Sequence, residues 1–92
     1  MNKITVSIRF FAMMREIVGS PRILYKFEKN LSVLEIINVL ACKFPDLKNI
    51  FYYKNKINET LVFVLNGQTV ESLTRIIKAD DELTILPPTG GG

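Results

Sequence analysis

Histidine is absent from the chain, which removes imidazole bases, Ser-His and Cys-His pairs, and His-liganded metals in one stroke. A single cysteine, Cys42, rules out an internal disulfide and any paired-cysteine redox or zinc site. No apolar run approaches the ~20 residues of a membrane span. Residues 1–20 alternate or carry charge, so no signal peptide is expected and the expected location is cytoplasmic. Charge of one sign is also scarce. Twelve Lys+Arg against nine Asp+Glu give +3, scattered along the chain, too mild and dispersed to argue for nucleic acid or an anionic membrane. What remains is 92 residues, 48% hydrophobic and 23% charged, the composition of one globular domain. Such a chain has little catalytic equipment of its own, and a partner is expected to share its chemistry.

The periodicity orders the elements. Lys3 to Phe10 alternates, with Ile4, Val6, Ile8 and Phe10 on one face, a half-buried strand. Phe11, Met14 and Val18 then fall at helical spacing, closed by Gly19 and turned by Ser20-Pro21. Arg22 to Glu28 alternates again with Ile23, Tyr25 and Phe27 inward, a second strand antiparallel to the first. Ser32 and Glu35 form a capping box that opens a helix carrying Ile36, Ile37, Leu40 and Phe44, which Pro45 stops. Asp46 to Thr60 reads as a long loop with a short helical turn. Leu61 to Leu65 is a strongly apolar strand, Asn66-Gly67 a two-residue hairpin turn and Gln68 to Val70 its return. Leu73 to Ile77 reads as a turn of helix, and Glu82 to Leu86 as the final strand. Two opening strands, a central helix and closing strands imply an α+β roll of the β-grasp type, a mixed sheet with one long helix packed across it.

The last six residues are the most informative. Three of the five glycines stand at positions 90–92, preceded by Pro87, Pro88 and Thr89. The expected organisation is a domain over 1–86 and a flexible tail over 87–92. Prolines stiffen its exit from the strand, and the glycines carry no side chain. Fully extended, six residues reach at most ~20 Å. A carboxylate can thereby be delivered clear of the fold through a channel too narrow for a Cβ.

Arg9-Phe10-Phe11-Ala12 with Arg15-Glu16 and Gly19, then Val64-Leu65-Asn66-Gly67, then Asp81-Glu82-Leu83 and Leu86-Pro87-Pro88-Thr89-Gly90-Gly91-Gly92 carry a resemblance. Over essentially its whole length the chain resembles the small subunits of molybdopterin synthase, ubiquitin-like sulfur carriers. Two positions depart from that family's pattern. Gly90 stands where a small polar or apolar residue is commoner, and Asp80 replaces a turn glycine, a position that Asp tolerates.

The resemblance implies that an E1-like adenylating enzyme uses ATP to activate the Gly92 carboxylate. A persulfide donor then supplies sulfur, giving a thiocarboxylate. Docked on the large synthase subunit, in a heterotetramer, that sulfur passes to the pterin precursor to build the dithiolene that holds molybdenum or tungsten. The chain itself would bind no cofactor and catalyse nothing alone. Gly92 and Gly91 would form the reacting end, while Phe11, Arg15, Leu86, Pro87, Pro88, Thr89 and Gly90 would meet partners. Neighbours of Leu86 at Leu83 or Thr84 would extend an apolar docking patch at the root of the tail.

The same terminus fits a protein modifier joined to lysines through Gly92. A thiamine-pathway carrier fits less well, since those chains are usually shorter and lack the Arg-Phe-Phe-Ala block. Cys42 lies roughly 160° from the apolar stripe of its helix, an incidental surface thiol rather than a persulfide carrier. Tyr52 and Tyr53 are read as core cover.

Overall fold

The computed structural model describes residues 3–87. Strand β1 (Ile4–Phe10) turns Val6, Ile8 and Phe10 into the core, as its alternation requires. A short helix α1 (Ala12–Val18) follows, with Met14 buried and Gly19 closing it at φ 86°. Gly19 supplies the left-handed turn that sends strand β2 (Arg22–Phe27) back antiparallel along β1, with Ile4 opposite Phe27 and Arg9 opposite Arg22.

Strand β3 (Leu31–Ser32) leads into α2 (Val33–Lys43). The capping box forms as the sequence requires. Glu35 N–H donates to Ser32 Oγ at 3.1 Å, and Ser32 N–H donates to Glu35 Oε1 at 2.9 Å. The hydrogen bond from the Ser32 backbone, first among the causes and joined by the Ser32 side chain and the charge of Lys29, holds the Glu35 carboxyl below its ordinary range. Two more first-turn donors are satisfied at a distance: Val33 N–H donates to the Arg75 carbonyl and Leu34 N–H to that of Leu73. Residues 73–77 accordingly do not form the expected helical turn. Strand β8 (Ile76–Ile77) pairs antiparallel with β3, burying Ile77 and leaving Ile76 outside.

A second correction concerns residues 46–60. Pro45 ends α2 and begins α3 (Pro45–Phe51), because its fixed φ and missing N–H suit a first helical position. Leu47 and Phe51, one turn apart, are fully buried. Strands β4 (Tyr52–Tyr53) and β5 (Lys56–Ile57) then make a hairpin around Lys54 and Asn55, both at positive φ. Asn58 fixes the hairpin's exit by donating to the Phe51 and Ile50 carbonyls and accepting from Thr60. Tyr52 is half-buried against the core, whereas Tyr53 is 66% exposed.

Strands β6 (Val62–Leu65) and β7 (Gln68–Thr69) flank the Asn66-Gly67 turn, with φ of 51° and 86°, and β9 (Glu82–Leu86) closes the chain's main sheet. Its order is β2-β1-β9-β6-β7, parallel only between β1 and β9. The fold is the α+β β-grasp roll. The described residues hold three helices: α1 stands where a short helix was expected, α3 lies largely within the expected loop, and the central helix α2 has 11 residues. One apolar core joins Val6, Ile8, Phe63, Leu83 and Ile85 of the sheet to Ile36, Ile37 and Leu40 of α2 and Leu47 and Phe51 of α3. No helix among the described residues is long and apolar enough to cross a membrane.

Candidate functional site

Strand β9 lies in the middle of the sheet, so its end emerges between two neighbours rather than at an edge. Phe10 aligns with Ile85 on one side, which sets Phe11 alongside Leu86; on the other side Val62 faces Leu86. Alternation then sorts the side chains. Leu83 and Ile85 are fully buried, while Thr84, Leu86 and Pro87 remain half-exposed. Leu83 therefore belongs to the core and not to a docking patch; Thr84 is the outward neighbour.

Phe11 has the outward parity of Arg9, and the Arg9 guanidinium sits over its ring at 5.4 Å from the centroid. The chain bends sharply there. Ala12 adopts φ 53°, a left-handed conformation that costs a non-glycine residue roughly 1–2 kcal/mol. Phe11 itself, extended at φ −128°, caps α1 with no side-chain hydrogen bond. An exposed Arg15 follows on α1 and makes no ion pair with Glu16 among the described residues.

The outward face at the root of the tail is thus Phe11, Val62, Val64, Thr84 and Leu86, an apolar surface on strands whose other face is already core. Val62 and Val64 were missed as candidates. Their signal was legible, since a strand apolar at every position from Leu61 to Leu65 has two faces to cover. Farther along the same face, Glu82 meets Arg9 at 3.9 Å and Arg22 at 3.7 Å. These exposed pairs contribute at most about 1 kcal/mol each and bound the apolar surface on one side.

The turn before β9 is fastened to the hairpin. Asn66 donates to Asp81 Oδ1 and accepts from Glu82 N–H, both at 2.8 Å, while Asp81 Oδ2 accepts from Lys78 N–H at 2.7 Å. Asp80 takes φ 68°, the left-handed geometry expected where it replaces a turn glycine. This network fixes the start of β9, and through it the point where residue 87 leaves the sheet. Pro88, Thr89, Gly90, Gly91 and Gly92 lie outside the described residues.

Cys42 is exposed on α2, away from this surface in the fold. Its surroundings are Asn38, Ala41, Pro45, Lys48 and Tyr52 on one side. Burial, and next the neighbouring Cys42, push the Tyr52 hydroxyl above its ordinary range, and it donates to Asn38 Oδ1.

Comparison with known proteins matches the ThiS family over residues 8–92. The molybdopterin synthase sulfur carrier subunit of Drosophila melanogaster is 30% identical over 91 residues, covering 97% of this chain and 92% of that protein. Among solved structures, small archaeal modifier protein 1 of Methanosarcina acetivorans superposes with a TM-score of 0.83 at 27% identity, covering all of both chains. A chain of the BexX/CysO complex of Amycolatopsis orientalis superposes with a TM-score of 0.75 at 25% identity, over 95% of this chain and 99% of that one.

Proposed function

The chain belongs to the ThiS family of sulfur carriers, and we propose that it serves as the sulfur-carrier small subunit of a molybdopterin synthase. The observation that carries this reading is the family match, which runs through the Pro-Pro-Thr-Gly-Gly-Gly segment to Gly92 and is joined by relatives of that name.

In this reading the protein is a group carrier and its partners catalyse. An adenylating enzyme joins the Gly92 carboxylate to the α-phosphate of ATP, releasing pyrophosphate. A carboxylate is a poor electrophile, and the adenylate gives it a good leaving group. The outer sulfur of a persulfide donor displaces AMP, joining donor and carrier in an acyl disulfide. A second thiol of the donor then cleaves the S–S bond, releasing the thiocarboxylate and leaving a disulfide on the donor. The large subunit then takes up the chain, the thiocarboxylate sulfur bonds to the pterin precursor, and water cleaves the acyl–sulfur bond, leaving the sulfur on the precursor and returning Gly92 to a carboxylate. ATP is the activating partner's substrate, so the carrier needs only an unhindered end and a docking surface.

The residues fit those two needs. Phe11, Val62, Val64 and Leu86 supply an apolar surface around the root of the tail, and Arg15 adds a cation for an acidic partner. Beyond Pro87 the fit rests on residue type alone: Pro88 has a fixed φ, Thr89 and Gly90 would be met by partners, and Gly91 has no side chain to hinder a close backbone approach in a narrow channel. Intact mass after incubation with ATP, an adenylating enzyme and a sulfur donor tests the reading. The protein gains the mass of one oxygen replaced by sulfur, whereas Gly91→Val and a chain lacking Gly92 do not. A thiocarboxylate on either variant at the wild-type rate refutes the channel argument.

The likeness to a small archaeal modifier favours a second use of the same end, an isopeptide bond to lysines of other proteins. Higher-mass conjugates in a lysate, present with Gly92 and absent without it, would establish that use.

A further inference from the structure

The main sheet has an open side. No described strand pairs with the outer edge of β2. Phe10 N–H donates to the Pro21 carbonyl at 2.9 Å, and bonded pairs alternate along an antiparallel ladder. Ile23, Tyr25 and Phe27 therefore turn their backbone groups to β1. Arg22, Leu24 and Lys26 turn theirs to the open edge. The Ser20 hydroxyl engages both groups of Arg22, donating to its carbonyl at 2.8 Å and accepting from its N–H at 3.3 Å, so Leu24 and Lys26 present two donors and two acceptors to a docking strand.

The edge also has a floor. Tyr25 of β2 and Asn38, Val39, Cys42 and Lys43 of α2 line an open groove of about 520 Å³ beside it. Lys43 Nζ stands 4.9 Å from the Tyr25 ring centroid. On the opposite face of the strand Leu24 is 65% exposed, flanked at the same parity by Arg22 and Lys26. An extended segment laid along β2 would place alternate side chains in the groove and the others beside Leu24.

Charge decides what that segment is. Lys26 and Lys43 border the site, with Arg22, shared with Glu82 at 3.7 Å, at one end. Of the nearby carboxylates, Glu82 is held by Arg9 and Arg22, Glu35 by its capping box, and Glu28 stands beyond the strand's end. A second copy of this chain is disfavoured by the same residues. Antiparallel self-pairing centred on Leu24 sets Arg22 of one copy directly opposite Lys26 of the other, twice, and like charges so placed repel. We infer that the β2 edge and the β2–α2 groove form a docking site for an extended, apolar, acid-flanked strand of another protein, added to the sheet by backbone hydrogen bonds. This site is distinct from the surface at the root of the tail, so a partner could hold the carrier while its end is being processed.

The test uses the full chain, ¹⁵N-labelled, titrated with the peptide acetyl-Gly-Asp-Val-Leu-Val-Glu-Gly-amide. Amide shifts should concentrate at Arg22, Leu24 and Lys26 and on α2 around Val39 and Cys42, and should weaken with added salt. Leu24→Pro removes an edge donor without removing a bond to β1 and should abolish binding. Lys26→Glu should weaken the acidic peptide by about tenfold and restore affinity for a peptide with lysines in place of both acids. Equal binding of the acidic and lysine peptides to the wild-type chain would overturn the inference. So would shifts confined to Phe11, Val62 and Leu86, no binding at millimolar peptide, or a concentration-dependent dimer formed through β2.

Discussion

Two consecutive residues at the end of β9 separate what holds the fold from what the fold presents. Ile85 is fully buried, and Leu86 is half-exposed with its side chain on the opposite face. Truncating Ile85 to Ala deletes core volume and should cost about 2–5 kcal/mol. In a domain of this size each kcal/mol lowers the Tm by roughly 4–8 °C, so Ile85→Ala should melt at least about 8 °C below wild type. Leu86→Glu removes only an outward apolar contact beside Val62, a surface change of about 1 kcal/mol or less. Its Tm should fall by no more than roughly 8 °C. Binding should reverse the order. Losing a central anchor from an apolar docking surface typically costs ~2 kcal/mol or more, about thirtyfold in Kd. Thermal melts by circular dichroism, with titration calorimetry against a purified large subunit, give both readings. If Leu86→Glu melts as low as Ile85→Ala, Leu86 is core; if it binds like wild type, the surface at the root of the tail is not the docking site.

The remaining predictions concern the scaffold. Gly19→Ala should cost about 1 kcal/mol in urea unfolding from backbone strain alone, since nothing lies within 4 Å of an added Cβ; a much larger loss would mean that the site is crowded. Phe51→Ala should cost about 3–5 kcal/mol, and a cost below about 1 kcal/mol would return residues 46–60 to a surface loop. The Lys54-Asn55 turn should accept Asn-Gly with no loss of stability, whereas Asn58→Ala should lose about 1–3 kcal/mol with its hydrogen bonds to the Ile50 carbonyl and Thr60. Ser32→Ala should cost about 1 kcal/mol. Because the folded Glu35 carboxyl titrates below its unfolded value, its share is present at neutral pH and lost as pH falls through the carboxylate range. The penalty of Ser32→Ala should shrink there, and a pH-independent penalty would contradict the coupling.

Local chemistry in the sequence determined much of this protein. Strict alternation gave β1 and β2 their inward faces, Ser32 and Glu35 opened α2, and Asn66-Gly67 closed a hairpin, each through groups a few residues apart. Asp80, the stand-in for a turn glycine, took the left-handed conformation its short polar side chain permits. The front and terminal blocks carried the family resemblance, and the family match spans both. Tertiary structure decided the rest. Within residues 73–77, Ile76 and Ile77 became a strand because β3 and the bare amides of α2 needed partners, which no window around Ile76 contains. Residues 45–51 became helix because Leu47 and Phe51 had a core to enter. The parity that buried Leu83 and exposed Thr84 was written in the strand, but which face was outward depended on α2 and α3 covering the other. The open edge of β2 belongs to strand order, since among the described residues no strand pairs with it, and the groove beside it to the packing of α2 along that edge.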